Sequence, residues 1–288
     1  MLESKPYNIL FKDTSYGNLI PTPHDMHSSG ETIKDTPSRS LVRIWKNFIV
    51  KFGPDVRPIE GENILYVQKH AGVPVPKVYA IYQQRREQHR YPITYIVMEY
   101  IEGDSLLSLW PGLDDIEKTR IATQLRSHFD QLRQLQHPGY FGNINGGPPL
   151  DDMFDAPQSR QEVTGSFLTE DELIDCFVRI YLAECGERVT NKAEYLRRVL
   201  PSILRGSGAP VFTHAEFQRK NIMVRLDGSV VLVDWEFGGW YPSYWEYSMA
   251  FWGLGHWSDD WHKYLSIALK EYPNQAAWFR MLMIEMWC

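Results

Sequence analysis

The chain has 288 residues, of which 43% are hydrophobic and 23% are charged, and its formal net charge at pH 7 is −6. This length allows two core-bearing units or one large domain, and the negative charge argues against a nucleic-acid partner, which would require a basic surface. Three cysteines without a C-x-x-C pair, no signal-peptide core and no membrane-length apolar run predict a soluble cytoplasmic protein without zinc or membrane contact. The oligomeric state is open.

The first third of the chain predicts a small sheet. Residues 1–30 are polar and contain Pro21, Pro23 and Gly30, which indicates an extension or a loosely packed arm. The β-like runs ETIKDT, SLVRIW and FIVKFG follow, and IEGENILYVQKHAG predicts a helix of about three turns. The prolines of VPVPKV favour an extended segment, and KVYAIYQQ and ITYIVMEYI add two strands. Residues 31–101 therefore predict a mostly antiparallel sheet with one inserted helix.

After Gly103 the hydrophobic period becomes helical. In DDIEKTRIATQLRSHFDQLRQLQH the apolar residues recur every three or four positions, which predicts one amphipathic helix. Thr169 and Glu172 form a capping pair that predicts the start of the next helix, and another is predicted over 191–205. The runs PVFTH, NIMVRL and SVVLVDW return to strand, and the aromatic segment 243–288 is predicted to be helical.

Functional groups concentrate in the stretch THAEFQRKN and in the hairpin that follows it. Asp227 and Gly228 are typical of a tight turn, which brings the two ends of the hairpin together. Asn221 begins one arm, Asp234 ends the other, and Glu216 lies on the loop leading in. Two carboxylates and an amide oxygen at one place are hard ligands that suit Mg²⁺ beside substrate phosphates. Asp234 also follows an apolar run, so we expect a cation or hydrogen bonds to compensate its burial.

The segments THAEFQRKNI and VDWEFGGWYP resemble the catalytic loop and metal-binding segment of the aminoglycoside phosphotransferase and choline-kinase-like family, in particular its fungal members. Other segments agree with this resemblance. FIVKFG is similar to the strand that carries the nucleotide lysine, ENILYVQKHAGVPVPKV to the helix that carries its glutamate partner, and IVMEYIEGDSL to the hinge between two lobes. The resemblance covers residues 31–260 and rests on these motifs jointly.

The resemblance implies an α+β, bilobal protein-kinase-like fold. Residues 1–30 would be an N-terminal extension and residues 31–101 a small, β-rich, nucleotide-binding lobe. Residues 102–288 would form a larger helical lobe that is catalytic, binds the acceptor and contains the embedded catalytic hairpin. Its implied activity is that of a small-molecule kinase, which transfers the γ-phosphoryl group of ATP to an acceptor hydroxyl with Mg²⁺ as cofactor.

Site roles follow from the same resemblance. Lys51 would contact the α- and β-phosphates and would be held by an ion pair with Glu62. Glu60, two residues earlier, is the rival partner, but it would face a different side of the helix, so we expect Glu62.

The remaining nucleotide and metal contacts are implied in the same way. The backbone of Glu99, Tyr100 and Ile101 would bind adenine, and the side chains of Asn221 and Asp234 would hold Mg²⁺.

One catalytic position departs from the family pattern. Where the family has its catalytic aspartate, which orients the substrate hydroxyl, this chain has Glu216, while His214 is expected to support the loop. Glutamate keeps the charge but adds a methylene, and a misplacement of about 1 Å can lower a rate on the order of 10²-fold. A second hypothesis therefore stands beside the kinase: a kinase-fold protein that binds a nucleotide or a metabolite without phosphoryl transfer, or one with a repurposed pocket.

Eight of the ten tryptophans fall in the last 55 residues. Such residues are typical of a helical core. Alternatively, Trp240 together with Glu236 and Glu246 could form an acceptor pocket, because cation–π contact and a carboxylate suit an amine. The sequence thus predicts a small-molecule acceptor, and this second interpretation favours one that bears an amine or an aromatic ring.

Overall fold

The structure is a computed structural model that describes residues 7–86, 91–155, 161–163, 165–254 and 257–287. These residues form two compact units, and each unit is discontinuous in the chain. The first contains the described residues up to His70 together with Pro74–Asp104 and Met223–Glu236. The second contains Ala71–Val73, Ser105–Ile222 and the described residues from Phe237 onward.

The first unit is built on a six-stranded antiparallel sheet with the order β1-β5-β6-β4-β3-β2. Its strands are β1 (Asn8–Lys12), β2 (Glu31–Asp35), β3 (Ser40–Ile44), β4 (Phe48–Gly53), β5 (Val78–Gln84) and β6 (Ile93–Glu99). Helix α2 (Pro58–His70) is inserted between β4 and β5. Apart from β1, these are the strands and the helix that the sequence predicted, because their residue patterns and the polar breaks between them are local properties of the chain.

The N-terminal segment is more ordered than the sequence predicted. Strand β1 pairs with β5, and the Asp13 N–H extends this connection by donating to the Tyr79 carbonyl at 2.8 Å. Helix α1 (Pro23–Ser29) follows, and the side chains of Ile20 and Met26 are buried in the core of the first unit. The prediction of a loosely packed arm is therefore wrong for residues 7–30, because β1 joins the sheet and the side chains of Ile20 and Met26 enter this core. Residues 1–6 lie outside the described residues.

A smaller sheet completes the first unit, with the order β10-β9-β7. Its strands are β7 (Gly103–Ser105), β9 (Ile222–Arg225) and β10 (Val230–Leu232). The predicted hairpin between β9 and β10 is present, and Gly228 closes its turn with a φ of +77°. The contacts of 223–236 place this hairpin in the first unit, whereas the sequence predicted it as part of the helical lobe.

The second unit is mainly helical. Its helices are α3 (Leu106–Leu109), α4 (Asp115–Leu132), α5 (Asp152–Asp155), α6 (Glu170–Cys185), α7 (Thr190–Ile203), α8 (Trp245–Trp252), α9 (Trp261–Ala268) and α10 (Pro273–Trp287). Strands β8 (Val211–Thr213) and β11 (Gly239–Tyr241) pair antiparallel. The predicted cap of α6 is confirmed, since the Thr169 side chain accepts a hydrogen bond from the Glu172 N–H.

The core of the second unit is rich in aromatic side chains. Trp245 lies 4.9 Å from Phe279 and 5.9 Å from Phe177, measured between ring centroids. These contacts account for several of the C-terminal aromatic residues, since rings of this size contribute much of the buried apolar area. Among the described residues, no helix is both long enough and apolar enough to cross a bilayer. The predicted α+β class, with a β-rich N-terminal part and a helical C-terminal part, is confirmed.

Candidate active site

Lys51 on β4 lies between two carboxylates of the first unit. Its Nζ is 2.8 Å from Glu60 Oε2 and 2.6 Å from Asp234 Oδ1. Burial acts to lower the pKa of Lys51, but the charges of Glu60 and Asp234 outweigh it and raise that pKa above its usual value. Lys51 is therefore a fixed positive charge, held by α2 on one side and by the segment after β10 on the other.

The partner of Lys51 on α2 is Glu60, and the predicted pairing with Glu62 is wrong. Glu60 lies on the same helical face as Ile64 and Val67, and all three side chains are buried. Glu62 is two positions further along, which turns it about 200° around the helix axis, and it is half-buried. The i, i+4, i+7 spacing of Glu60 with two buried apolar residues is a signal that the sequence already contained.

Asp234 has an unusual backbone conformation. Its φ is +66°, a left-handed region that aspartate adopts more readily than most non-glycine residues. Strained backbone of this kind concentrates at functional sites. The side chain of Asp234 is 26% exposed. One of its carboxylate oxygens lies within 4.8 Å of a carboxylate oxygen of Glu60 and of a carboxylate oxygen of Glu236.

The cluster of Glu60, Asp234 and Glu236 is the place in the first unit where a Mg²⁺ ion could bind. Oxygen donors are the ligands that Mg²⁺ prefers, and one or two protein carboxylates suffice because water and phosphate complete its coordination. Lys51 contacts both Glu60 and Asp234, but Glu60 and Glu236 are buried, so the partly exposed Asp234 is the carboxylate best suited to the ion. The donor set therefore fits the predicted role of Asp234.

In the second unit, the buried carboxylate of Glu246 holds the backbone of the predicted catalytic loop. Glu246 Oε2 accepts hydrogen bonds from the backbone N–H groups of His214 at 2.7 Å and Ala215 at 3.4 Å. Burial raises the pKa of Glu246, while the His214 and Arg133 charges and these hydrogen bonds act in the opposite direction. The contacts hold a strained backbone, because Ala215 has a φ of +68°.

His214 is a support of this loop in the structure. Its side chain is buried, and Nδ1 accepts a hydrogen bond from the Glu216 N–H at 3.2 Å. The Asn221 side chain adds a second tie, because Nδ2 donates to the Glu216 carbonyl at 3.1 Å. This bond uses the amide nitrogen of Asn221, and the predicted role of its amide oxygen as a metal ligand stays a prediction.

The two carboxylate oxygens of Glu216 have different surroundings. Oε1 accepts a hydrogen bond from Lys220 Nζ at 2.7 Å, one turn further along the chain. Oε2 is buried, and within the described part of the chain it has no hydrogen-bond partner. A buried acceptor without a donor is costly, so this atom requires an explanation, and a catalytic role is one.

Sequence reasoning missed Asp151, a buried acid of the same unit. Burial raises the pKa of its carboxyl group to about 7, and the charges of Asp152 and Glu216 act in the same direction. Its Oδ1 accepts a hydrogen bond from the Met153 N–H at 2.9 Å. No spacing in the segment GGPPLDDMF distinguishes the buried aspartate from the exposed one that follows, so only the folded structure identifies it.

The three residues predicted for an acceptor pocket have buried side chains. Trp240 is buried and packs against Phe212 at 5.1 Å between ring centroids. Glu246 is buried beneath the catalytic loop, and the buried side chain of Glu236 forms an ion pair with the partly exposed Arg39 at 2.6 Å. Each side chain is enclosed by the unit to which it belongs, and the acceptor pocket formed by these three residues stays a prediction.

The predicted adenine segment already uses two of its backbone donors. The Glu99 N–H donates to the Lys77 carbonyl at 2.8 Å, and the Tyr100 N–H donates to the Asn47 carbonyl at 2.9 Å. The Glu99 side chain also forms an ion pair with Arg225 at 2.8 Å. These two N–H groups are therefore engaged within the first unit, and adenine binding by this segment stays a prediction.

Residues 36–281 match the model of the phosphotransferase enzyme family. The chain belongs to this family. Among solved structures, aminoglycoside phosphotransferase APH(4)-Ia is 14% identical, with a TM-score of 0.56 and coverage of 90% of this chain and 83% of that chain. The streptomycin–ATP ternary complex of APH(2″)-IIa is 12% identical, with a TM-score of 0.54 and coverage of 88% and 81%.

Another APH(4)-Ia structure, a ternary complex of a thermostable mutant with ADP and hygromycin B, is 16% identical, with a TM-score of 0.55 and coverage of 90% and 79%. At these identities the similarity shows the fold, so the predicted protein-kinase-like fold and the predicted family resemblance are confirmed. No curated protein sequence matches the chain at a significant level.

Proposed function

We propose that this phosphotransferase-family protein is an ATP-dependent small-molecule kinase that phosphorylates a hydroxyl group. The observation that carries the proposal is the position of Lys51, which contacts both Glu60 and Asp234. In kinase-type phosphoryl transfer, the lysine–glutamate ion pair and the metal-binding aspartate must both be in place. The solved relatives named above include complexes with ATP and ADP, which supports nucleotide binding by this chain as well.

The first unit would hold the nucleotide. Lys51 would donate to the α- and β-phosphates, and the segment Glu99–Ile101 would bind adenine through its backbone. Asp234 and Asn221 would be protein ligands of Mg²⁺, which neutralises charge on the phosphates when it is bound. Glu60 keeps the ammonium group of Lys51 in position, so it is a positioning residue.

The second unit would orient the acceptor. Glu216 Oε2, the buried oxygen without a donor, would accept the hydrogen bond of the acceptor hydroxyl. The hydroxyl oxygen would then form a bond to the γ-phosphorus as the bond to the leaving ADP oxygen breaks, and the hydroxyl proton would pass to the Glu216 carboxylate. An alcohol acceptor and a cytoplasmic location remain predictions from the sequence.

A second candidate function is nucleotide or metabolite binding without phosphoryl transfer. The observation that favours it is the contact between Glu216 Oε1 and Lys220, since this ion pair engages one oxygen of the carboxylate that would otherwise face the acceptor hydroxyl. Lys220 is half exposed, so water weakens this ion pair.

Nucleotide binding tests both candidates. We expect ATP to bind in a calorimetric titration, more tightly with Mg²⁺ than without it. Lys51→Ala should weaken the affinity on the order of 10- to 100-fold, because charged hydrogen bonds to phosphate are lost. The exposed Lys46 is a matched control, and Lys46→Ala should change the affinity little. Absence of ATP binding with and without Mg²⁺ contradicts both functions.

Catalysis separates the two candidates. ATP-dependent phosphorylation should be screened with aminoglycosides and other amine-bearing alcohols, using the parent chain, Glu216→Asp and Glu216→Gln. If Glu216 orients the hydroxyl, Glu216→Gln should lower the rate on the order of 10²-fold or more, whereas Glu216→Asp retains the charge. A product formed at an unchanged rate by Glu216→Gln would refute its role, and nucleotide binding without any product would favour the second candidate.

A further inference from the structure

Arg39 ends the turn between β2 and β3, and this turn is tightly fixed. The Thr36 N–H donates to the Arg39 carbonyl at 3.0 Å, and the Arg39 N–H donates to Thr36 Oγ1 at 3.0 Å. Gly53 on β4 packs directly beneath the turn, because a Cβ at this position would lie 2.1 Å from the Ser38 carbonyl oxygen. The Arg39 side chain therefore starts from a backbone with little freedom.

The guanidinium of Arg39 belongs to the same charged cluster as Lys51. Its Nη1 lies 2.6 Å from Glu236 Oε1, and the charges of Glu236, Asp234 and Glu60 all stabilise its charged form. The side chain of Glu236 is buried, whereas that of Arg39 is 39% exposed. One N–H donor of Arg39 is therefore engaged by the buried carboxylate of Glu236, while part of the Arg39 side chain is accessible to solvent.

The chemistry of this arrangement fits a phosphate. A guanidinium has five N–H donors in a planar fork, so one donor can be fixed by a carboxylate while others bind an anion. The turn sequence DTPSR contains no glycine, whose backbone would allow close approach to phosphates. A side chain from this turn can supply the donors that such a backbone would otherwise supply.

We propose that Arg39, oriented by Glu236, is a phosphate-binding residue that contacts the terminal phosphates of the bound nucleotide. This inference rests on the proposed function, because it requires ATP to bind the first unit. The competing account is structural: Arg39 does no more than neutralise the buried charge of Glu236. The two accounts differ in what Arg39 contributes once position 236 carries no charge.

A double-mutant cycle measured by calorimetry separates the two accounts. ATP, ADP and adenosine are titrated in the presence of a metal chelator into the parent chain, Arg39→Ala, Glu236→Gln and the double variant. If Arg39 binds phosphate, Arg39→Ala should weaken ATP binding on the order of 10- to 100-fold in both backgrounds. Adenosine affinity should be unchanged, and ADP should be affected less than ATP. Arg126→Ala, which breaks an exposed ion pair with Asp130, is the matched control.

The outcomes are distinct. If Arg39→Ala weakens ATP binding in the parent chain but has no effect in the chain that already carries Glu236→Gln, charge neutralisation is the role of Arg39 and the inference is overturned. Equal ATP affinity of the parent chain and Arg39→Ala overturns the inference and leaves the proposed function intact. Failure of the parent chain to bind ATP both with the chelator and with Mg²⁺ overturns the inference and the proposed function. Thermal unfolding of each variant verifies that it is folded. If Arg39→Ala unfolds because the buried charge of Glu236 has lost its partner, the comparison between Glu236→Gln and the double variant still tests Arg39, since neither chain has a charge at position 236.

Discussion

Asp151 is a buried carboxyl group whose proton affinity differs between the folded and unfolded chain. Burial raises its pKa in the folded protein to about 7, from an ordinary value of 3.8. At a pH below the ordinary pKa, the carboxyl group is protonated in both the folded and the unfolded chain, so its burial as a neutral group does not lower the free energy of unfolding. As the pH rises from 3.8 to about 7, the unfolded chain releases the proton while the folded chain retains it. Its contribution to stability is therefore lost across this range as the pH increases.

Asp151→Asn should remove this pH dependence. The amide keeps the Oδ1 acceptor for the Met153 N–H but carries no ionisable proton. We expect the variant to melt at a higher temperature than the parent chain at about pH 8 and to differ little at about pH 4, since each pKa unit corresponds to about 1.4 kcal/mol. Asp152→Asn alters the exposed neighbour and serves as the control. Identical melting shifts at both pH values would contradict the assignment.

Helix α2 shows how the face of a helix on which an acid lies decides a site residue. Glu60 and Glu62 are both acids in the first half of the helix. From the sequence alone, either of them could be the partner of the strand lysine. Glu60 shares its face with Asn63 and Ile64, which are buried. Because that face packs within the first unit, Glu60 is brought to Lys51 and Glu62 is turned away from it.

The two glutamates should therefore respond differently to substitution. Glu60→Gln should lower the free energy of unfolding on the order of 1–3 kcal/mol, because a charged partner of buried Lys51 is lost. Glu62→Gln should change it by about 0.5 kcal/mol or less, as is usual away from buried polar networks. Urea unfolding measures both values, and ATP titration should show the same order. Equal effects of the two variants would refute the assignment of Glu60.

The assembly of the first unit depends on a segment far along the chain. The buried Asn63 side chain donates to the Trp235 carbonyl at 2.8 Å, and the Leu232 N–H donates to the Pro74 carbonyl at 3.3 Å. Asp234 in the same segment pairs with Lys51. Buried polar groups such as Asn63 are costly without their partners, so the unit is incomplete until 223–236 have been added.

A fragment of residues 1–104 should therefore fail to unfold cooperatively. A matched fragment in which 223–236 are joined to it by a flexible Gly/Ser linker should recover cooperativity, because the missing acceptors and the Lys51 partner are restored. Thermal unfolding followed by circular dichroism compares the two fragments. A cooperative transition of equal midpoint in both fragments would show that the hairpin is dispensable.

The sequence by itself determined the elements and the chemical types of the site. Hydrophobic periods indicated five of the six strands of the large sheet, helix α2 and the principal helices of the second unit, because these periods are local properties of the chain. The stretch THAEFQRKN and the hairpin after it indicated Glu216, Asn221 and Asp234, because their functional groups stand at close, fixed spacing.

Tertiary structure alone decided which of these groups meet. Lys51 and Asp234 are 183 residues apart, and Arg39 and Glu236 are 197 residues apart. It also placed β1 in the sheet, chose Glu60 over Glu62 and buried Asp151, Trp240 and Glu246. The physical reason is the same in each case: local periodicity fixes the face on which a side chain lies, whereas its burial and its partners depend on which distant segment covers that face.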